Sequence, residues 1–400
     1  MGGNTPAVEF RNLDIVFGAN APKALALIDQ GKSRDEILAQ TGAVLGAAGI
    51  DLAIETGEIC VLMGLSGSGK STILRAVNGL NKVARGQVLI AHQGRTIDVA
   101  TCSASELRML RMSRIAMVFQ QFALLPWRSV RENVGFGLEL RGLKKAQLDK
   151  IVDEKLAMVG LTKWAGKFGH ELSGGMQQRV GLARAFATDA DILLMDEPFS
   201  ALDPLIRDKL QDELLGLQKE LRKTIIFVSH DLDEALKIGN RIAILEGGRI
   251  VQCGAAEDIL LRPANDYVAE FVKHMNPLNV LRGHSLMTPA NSLRTANGEV
   301  LLDAAGRLRV RLDEDGKPVA VTLDGAAGKL AAADGETGAS EAARADVIVA
   351  PADLKMRAAI ELRRATGNPI VLVDQLGRMA GLCGDDEIYR ALLQRAPPAA

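Results

Sequence analysis

The chain has 400 residues and a formal net charge of −1, with 48% apolar and 24% charged residues. The length favours two domains over one. The balanced charge excludes a strong global field that would attract nucleic acid or a membrane surface. The four cysteines lie far apart without a CxxC pair, which favours free thiols in a reducing compartment.

The sequence shows no signal for membrane insertion or export. No apolar run approaches the roughly 18 residues needed to cross a bilayer. Residues 1–10 lack the basic-then-apolar pattern of a secretory signal. We therefore expect a cytoplasmic chain, and any role at a membrane requires a separate partner.

The first predicted elements are a strand and an inserted helical segment. Residues 8–17 (VEFRNLDIVF) alternate apolar and polar residues, as a strand does. Residues 18–48 interrupt this pattern, and Ser33 with Glu36 forms a capping box that predicts a short helix. Strand character resumes over residues 52–63.

Strands and helices then alternate along the chain. A glycine-rich loop leads into a helix from Ser71, and further strands and helices are predicted at 114–119 (strand), 131–165 (helical), 192–195 (strand) and 224–228 (strand). This alternation predicts a mostly parallel sheet with helices packed on it. Gly247-Gly248 marks a hairpin after the last of these elements.

The composition changes after about residue 282. Residues 324–345 are rich in alanine and glycine, which is typical of a linker. Residues 355–395 then predict the order helix, strand, turn, strand, helix.

The glycine-rich loop Gly64–Ser71 (GLSGSGKS) fits the pattern of a phosphate-binding loop. Glycines allow backbone N–H groups to turn toward a polyphosphate, and the following helix N-terminus favours negative charge. Lys70 would reach the β- and γ-phosphates of a nucleotide, and the Ser71 hydroxyl would bind Mg²⁺. The bland alternative is a flexible Gly/Ser loop, but the strand before it and the helix after it favour the phosphate site.

A buried strand ends in two carboxylates, Asp196 and Glu197. Ligands bind at the C-terminal ends of such strands in parallel sheets. Asp196 would hold the Mg²⁺ shell, and Glu197 would polarise an attacking water. An acidic turn at the end of a strand is the alternative, and the phosphate loop makes the catalytic interpretation the better one.

Three further polar positions accompany these motifs. Leu172-Ser-Gly-Gly175 opens a helix whose free N–H groups offer another anion site. His230 follows a predicted core strand, as Glu197 does, so both side chains can face the same phosphate; Gln120 likewise follows a strand, where it can bond metal-bound water and a loop that moves. A lone His or Gln is more often structural, and only the combination favours function.

With these motifs assembled, residues 7–275 resemble the ABC ATPases. By matching position, Gly64–Thr72 resembles the Walker A loop, Ile192–Glu197 the Walker B strand with its catalytic glutamate, and Leu172–Gln177 the signature motif. Gln120 resembles the Q-loop glutamine, Ser200–Asp203 the D-loop, and His230 the switch histidine. Phe17 stands where the family places an aromatic residue that stacks on adenine; a core residue is the alternative.

The resemblance implies ATP and Mg²⁺ as ligands. It implies catalysis by Glu197, His230 and Gln120, and metal binding by Ser71, Gln120 and Asp196. The residues that it implies for nucleotide binding are Phe17, Gly64, Leu65, Ser66, Gly67, Ser68, Gly69, Lys70, Ser71, Thr72, Ser173, Gly174, Gly175, Gln177 and Asp203.

The resemblance also implies an architecture and an assembly. Residues 1–280 would form an α/β P-loop NTPase domain with a RecA-like core, an antiparallel β subdomain and a helical subdomain at about 122–185. Two copies would form a head-to-tail homodimer in which the Ser173–Gly175 of one chain closes the nucleotide at the partner's loop. The dimer would drive an integral membrane permease from the cytoplasmic face of the inner membrane, supplied by a periplasmic or lipid-anchored substrate-binding protein, with no nucleic acid involved.

The inserted segment 18–48 and the run at 206–244 resemble those of importer ATPases for quaternary ammonium osmoprotectants. Residues 271–281 (FVKHMNPLNVL) are most similar to the choline branch, with glycine betaine or proline betaine as the alternative substrate. Trp127 and Phe122 stand where the family docks a coupling helix of the permease, or else pack in the core.

Two other classes of function compete with import. A DNA-repair ABC ATPase would carry a long coiled coil between the loop and the signature, and the interval 64–172 is too short for one. A translation-type ATPase would usually carry two cassettes. A silent regulatory nucleotide-binding module would not need Glu197 and His230.

The C-terminal region resembles a small α+β CBS-like regulatory domain at residues 281–400. Residues 355–395 resemble one CBS repeat, with Asp385 and Asp386 opening its last helix, where the helix dipole favours acids. Residues 286–323 are the candidate for a degenerate partner repeat. A tail that only adds dimer contact area is the alternative.

Overall fold

The computed structural model describes residues 5–121, 123–273, 276–333 and 344–393. The chain divides into two compact units, Met1–Ala255 and Ala256–Ala400. Across the described residues, every helix is too short or too polar to traverse a lipid bilayer.

The first unit contains two sheets. Its strands are β1 (Val8–Phe17), β2 (Val44–Ile54), β3 (Ile59–Met63), β4 (Arg85–His92), β5 (Arg95–Asp98), β6 (Ile115–Val118), β7 (Ile192–Asp196), β8 (Thr224–Val228), β9 (Arg241–Glu246) and β10 (Arg249–Gly254). An antiparallel sheet has the order β2-β1-β4-β5. A second sheet has the order β10-β9-β3-β8-β7-β6, and only its β9–β10 hairpin is antiparallel. The predicted parallel sheet and the hairpin at Gly247-Gly248 are thus confirmed.

The helices of the first unit connect these strands. They are Ala21–Asp29, Arg34–Thr41, Lys70–Val77, Ala104–Met109, Val130–Leu140, Lys145–Met158, Gly174–Ala187, Pro204–Leu221 and Leu232–Ile238, with a π-turn at Leu110–Arg114 and 3₁₀ turns at Thr162–Trp164 and Gly169–Glu171. The sequence predicted one helical stretch over 131–165. The structure breaks it near Gly142, which has a φ of +75° that a continuing helix does not allow.

The inserted segment contains helices, as the capping box predicted. The Ser33 side chain accepts a hydrogen bond from Glu36 N, and the Glu36 side chain accepts one from Ser33 N. The segment ends earlier than predicted, because Gly42 terminates the second helix in a left-handed conformation with a φ of +68°. Val44 then pairs with Phe17, so β2 starts well before residue 52.

The core of the first unit joins the two sheets around the helix that follows the phosphate loop. Ile73, Leu74 and Val77 from this helix are fully buried. They pack with residues of both sheets, including Phe10 of β1 and Leu62 of β3. The start of this helix is therefore held rigidly where the strands end.

The described residues of the second unit form two five-stranded sheets. Its strands are β11 (Thr288–Pro289), β12 (Thr295–Ala296), β13 (Glu299–Leu301), β14 (Leu308–Leu312), β15 (Pro318–Leu323), β16 (Ala326–Ala327), β17 (Leu330–Ala332), β18 (Val347–Pro351), β19 (Ile370–Val373) and β20 (Met379–Cys383). Its helices are Ala256–Leu261, Asp266–Val272, Gly283–Leu286, Met356–Thr366 and Asp385–Leu392, with 3₁₀ turns at Pro277–Asn279 and Ala290–Ser292. The sheet order β11-β20-β19-β18-β17 contains the predicted helix, strand, strand, helix succession of residues 355–395.

The proposed partner repeat has a different structure. Strands β12 to β16 form an antiparallel meander in chain order, and no helix interrupts the described residues from β12 to β16. A CBS repeat of the kind predicted for 355–395 alternates helices with strands, so the prediction for residues 286–323 is not supported. Short alternating strands such as RLRVRL and PVAVTL pair with their immediate neighbours through tight turns, which favours a meander.

The predicted linker is partly structured. Ala326–Ala327 pairs with β15, and Leu330–Ala332 lies parallel to β18. Residues 334–343 lie outside the described residues. The unit boundary after Ala255 also precedes residue 280, the boundary indicated by the sequence. Leu281 O accepts from Met356 N at 2.9 Å, and Gly283 N donates to Leu354 O at 2.8 Å, so this segment belongs with the C-terminal residues.

Candidate functional site

The phosphate loop Gly64–Ser71 joins the end of β3 to the helix Lys70–Val77, as predicted. Its three glycines have φ angles of +143° (Gly64), +79° (Gly67) and +104° (Gly69). A Cβ on Gly64 would lie 2.2 Å from Leu245 O, and one on Gly69 would lie 2.4 Å from Gly46 O. Both the backbone conformation and the lack of space therefore require glycine at these two positions.

The Lys70 side chain folds back over the phosphate loop and bonds its first residues. Its Nζ donates to Gly64 O at 2.8 Å and to Leu65 O at 2.9 Å. Burial lowers the pKa of Lys70, whereas the carboxylates of Glu197 and Asp196 act to raise it. The ammonium group is thus held among backbone carbonyls and two acids, where a polyphosphate would be its natural counterion.

Ser71 and Asp196, two of the predicted metal ligands, are in direct contact. The Ser71 hydroxyl donates to Asp196 Oδ1 at 2.7 Å. Arg75 Nη2 donates to the other carboxylate oxygen at 2.8 Å, while Asp196 is completely buried. Arg75 was not recognised in the sequence, although its position one turn after Ser71 on the same helix face is a usable signal.

Glu197 lies between the two other predicted catalytic residues. Gln120 Nε2 donates to Glu197 Oε2 at 3.1 Å, and His230 Nδ1 lies 3.3 Å from the same oxygen. These three residues follow the neighbouring strands β6, β7 and β8. The structure therefore brings Gln120, Glu197 and His230 to one edge of the sheet, as predicted.

The backbone of Glu197 is held in an unusual conformation. Its φ is +49°, which is uncommon for a residue other than glycine. Glu197 N donates to Val228 O at 3.1 Å, and Glu197 O accepts from Gln178 Nε2 at 3.1 Å. Gln178 Oε1 also accepts from Ala201 N at 3.1 Å. The buried side-chain amide of Gln178 therefore links the signature helix to the backbone at both Glu197 and Ala201. The sequence offered no signal for this role of Gln178.

His230 is 61% exposed and is positioned through its neighbours. The Ser229 hydroxyl accepts from Asp231 N at 2.9 Å and donates to Glu234 Oε2 at 2.5 Å. Burial raises the pKa of Glu234, and Gln211 Nε2 donates to its other oxygen at 3.1 Å. This buried network fixes the short loop that carries His230.

The signature residues lie at the start of their helix. Ser173 is the N-cap of the helix Gly174–Ala187 and accepts from Met176 N at 3.4 Å. Gln177 Nε2 donates to Leu172 O at 3.2 Å, which closes the turn before the helix. Gly175 lies against the D-loop, because a Cβ there would be 3.2 Å from Ala201 O. Within the described residues, no hydrogen bond joins these positions to the phosphate loop of the same chain.

Two further predicted nucleotide-binding residues, Asp203 and Phe17, lie outside the phosphate loop and the signature turn. Asp203 caps the helix Pro204–Leu221 by accepting from Ile206 N at 3.1 Å. Phe17, at the end of β1, is 41% exposed and therefore is not a core residue. A Cβ on Gly46 would lie 2.7 Å from the Phe17 ring and 2.8 Å from Thr72 Cγ2. The absence of a side chain at Gly46 thus leaves room for the Phe17 ring and for Thr72 in the first turn after the phosphate loop.

Trp127 is 72% exposed, which excludes the core-packing alternative for this residue. Phe122 and residues 274–275 of the stretch 271–281 lie outside the described residues. Tryptophan is enriched at protein–protein interfaces, so Trp127 stays a candidate for the predicted permease contact.

Comparison with known proteins agrees with these motifs. The profile of the family described as ABC transporter matches residues 47–200. The glycine betaine/proline betaine transport system ATP-binding protein ProV of Escherichia coli (strain K12) is 47% identical over 310 residues, which cover 77% of this chain and 76% of that protein. The glycine betaine transport ATP-binding protein OpuAA of Bacillus subtilis (strain 168) is 40% identical over 380 residues, covering 94% of this chain and 90% of that protein.

A solved structure is similar to part of this chain. It is the dimeric structure of the ATP-binding cassette MJ0796 in a post-hydrolysis state, bound to ADP and Pi. The two chains superpose with a TM-score of 0.54 at 30% sequence identity, and the alignment covers 62% of this chain and 98% of the MJ0796 chain. The similarity to MJ0796 thus covers less of this chain than the similarity to OpuAA, which extends over nearly its whole length.

Proposed function

The chain belongs to the ATP-binding subunits of ABC transporters, and we propose that it powers the import of a quaternary ammonium osmoprotectant. One observation carries the chemistry: Glu197 accepts from Gln120 and lies beside His230, at the sheet edge that also holds Lys70 and Ser71. A base, a water-orienting amide and a phosphate cation within one site are what hydrolysis of a γ-phosphate needs.

The donor set of the site fits Mg²⁺. The Ser71 hydroxyl and the buried Asp196 carboxylate are hard oxygen ligands in direct contact, and magnesium prefers one or two such protein ligands together with phosphates. Gln120 would supply a third oxygen. When bound, the metal ion would neutralise charge on the phosphates during transfer.

The residues have separate tasks in the proposed reaction. Lys70 binds the β- and γ-phosphates, with the loop amides around it. Glu197 takes the proton of the attacking water as it approaches the γ-phosphorus. His230 and Gln120 hold the Glu197 carboxylate and its water in line with the γ-phosphorus. A movement of the loops that carry His230 and Gln120 would therefore switch hydrolysis on or off.

We further propose a head-to-tail homodimer bound to a membrane permease. Ser173, Gly174 and Gly175 lie at the start of a helix, where an anion is favoured, and within the part of the chain that the structure describes they make no hydrogen bond to their own phosphate loop. A second copy would bring these groups onto the γ-phosphate. The exposed Trp127 would face the permease at the cytoplasmic side of the inner membrane, with a substrate-binding protein acting on the opposite side.

The substrate is proposed from relatives. ProV and OpuAA are named for glycine betaine, and a carnitine and glycine betaine relative, GbuA of Listeria monocytogenes, is 46% identical over 280 residues. These names favour glycine betaine over the choline branch. Uptake of labelled glycine betaine, proline betaine and choline in a strain lacking this chain tests the proposal; unchanged uptake of all three would refute it.

Phe17 is proposed to stack on adenine. Phe17→Ala should weaken ATP binding roughly 5- to 150-fold, because stacking a base on an aromatic ring is worth about 1–3 kcal/mol. Phe17→Tyr should bind nearly as well as the wild type. Titration calorimetry with ATP and with inorganic triphosphate measures this, and an equal loss for both ligands would show that the ring only supports the loop.

The second unit is proposed to regulate transport. The predicted phosphate-site residues all lie in the first unit, and the OpuAA relative covers both. Truncation after Arg282 should leave basal ATPase activity near that of the wild type and change how uptake responds to salt. Uptake into vesicles across an ionic-strength series measures this. Because the cut uncovers buried Leu281, thermal unfolding must accompany it, and identical salt curves would leave only a structural role.

A further inference from the structure

The segment between β1 and β2, residues 18–43, contains two helices and lies beside the phosphate loop. Its two helices pack over a small apolar core of Ala24, Leu27, Ile28, Ile37, Ala43, Leu45 and Ala48. Asn20 Nδ2 donates to Thr41 O at 2.8 Å and so closes the segment at its base. Arg85 donates to both carboxylate oxygens of Asp29, at 2.9 and 2.7 Å, which ties the first helix to β4.

The second helix of this segment contacts the phosphate loop through Arg34. The Arg34 Nη1 group donates to the carbonyl oxygen of Gly67, in the middle of the loop. The space around Gly67 is otherwise open, and a Cβ built there would meet only Arg34 Nη1, at 3.7 Å. Ser68 N also donates to Leu65 O at 3.1 Å, so the two bonds together fix the peptide plane between Gly67 and Ser68 in the middle of the loop.

The charge of Arg34 is not neutralised. Among residues 5–121, 123–273, 276–333 and 344–393, no carboxylate oxygen lies within 4.0 Å of its guanidinium nitrogens. Its neighbour Glu36 accepts instead from Lys32 Nζ and Ser33 N, both at 2.8 Å. Arg34 is also the first residue of its helix, where the helix dipole disfavours a positive charge. The Arg34 guanidinium therefore remains available to an anion that binds at the phosphate loop.

We infer that Arg34 is a nucleotide-affinity residue that the inserted segment adds to the phosphate loop. This inference rests on the proposed ATPase function and deepens it. Arg34 is a positioning residue: it holds the Gly67–Ser68 peptide in place within the phosphate loop and adds a positive charge beside the loop that no carboxylate of the described residues pairs with. It lies outside the Glu197, Gln120 and His230 cluster, so it acts on nucleotide binding rather than on the hydrolysis step.

The test compares Arg34→Met with a matched variant of the same segment. Lys23→Met removes the same charge, and Lys23 Nζ donates to Gln40 O, at 3.3 Å, away from the loop. We expect Arg34→Met to bind MgATP roughly 10-fold more weakly, the size of one charge-assisted hydrogen bond. Lys23→Met should stay within about twofold, since exposed charges contribute little. The KM for ATP should rise in Arg34→Met while kcat stays near wild type.

Salt separates a charge effect from a structural one. The affinity gap between wild type and Arg34→Met should narrow between about 0.05 M and about 0.5 M salt, because salt screens a half-exposed charge. Arg34→Lys keeps the charge but lacks the planar donor fork, so its affinity should lie between the two. If Arg34→Met unfolds more easily, the Arg34→Lys salt series carries the test.

The outcomes are distinct. Wild-type chain that fails to bind MgATP would overturn the proposed function itself. Wild-type binding with Arg34→Met equal to Lys23→Met, or a loss in kcat with unchanged affinity, would overturn the inference while leaving the ATPase proposal intact.

Discussion

Replacing Glu197 with glutamine should abolish ATP turnover while ATP binding persists. The removal of a general base costs typically 10²–10⁴-fold in rate. Glutamine keeps the shape of the side chain, and its carbonyl oxygen can still accept from Gln120, which donates to Glu197 Oε2 at 3.1 Å. Lys70 and Ser71 are unchanged, so the phosphates still bind. The chain should therefore accumulate in its ATP-bound, closed dimeric form.

The measurements are phosphate release and size-exclusion chromatography with ATP. Glu154→Gln is the matched control, because it makes the same chemical change on an exposed face of the helix Lys145–Met158. It should turn over ATP like the wild type and show no trapped dimer. Unchanged turnover in Glu197→Gln would exclude Glu197 as the base and would leave His230 as the candidate base.

The sequence predicted the parts of the site whose signals are local. The phosphate loop is a contiguous pattern between a strand and a helix, and its glycines follow from the required backbone angles. Gln120, Glu197 and His230 each end a strand, and parallel strands place such residues at one edge. Their convergence on one carboxylate oxygen follows from that topology.

Other contacts join distant segments and leave no local pattern. Gln178 reaches Glu197 O only because the signature helix packs beside the end of β7. Arg34 reaches Gly67 only because a separate apolar core supports the inserted segment. The left-handed φ of Glu197 was equally hidden, since turn rules assign such angles to glycine or asparagine first.

The second unit shows the limit of composition. Residues 324–345 are poor in large apolar side chains, and the sequence therefore predicted a linker. Leu330–Ala332 nevertheless adds to the edge of a sheet, because main-chain hydrogen bonds to β18 need no large side chain. The meander of β12 to β16 likewise depends on turns between neighbours rather than on a repeat of the 355–395 pattern.

The proposed head-to-tail dimer can be tested by combining two variants that are each inactive alone. Ser173→Arg should block closure, because a long cationic side chain would occupy the place of the partner's γ-phosphate. Lys70→Ala should fail from the other side, by losing the phosphate cation. In a homodimer of either variant, every composite site contains one defect, so neither should close on ATP.

Mixing the two variants should restore closure. In the mixed dimer, one composite site has both defects and the other has an intact loop from the Ser173→Arg chain with an intact signature from the Lys70→Ala chain. Random pairing gives about half mixed dimers, so roughly a quarter of all sites should recover, as two-fold symmetry requires. Both changes are best placed in a Glu197→Gln background, where a closed site persists long enough for size-exclusion chromatography to resolve the dimer.

The control is a mixture of Ser173→Arg chains with chains that carry both changes. Each site in that mixture keeps at least one defect, because the second chain supplies neither an intact loop nor an intact signature. It should remain monomeric with ATP. Equal recovery in the control mixture, or none in the test mixture, would contradict composite sites built from two chains. In the second case Ser173 would act within its own chain, as the N-cap that accepts from Met176 N, and the closed form would need another source for its γ-phosphate contacts.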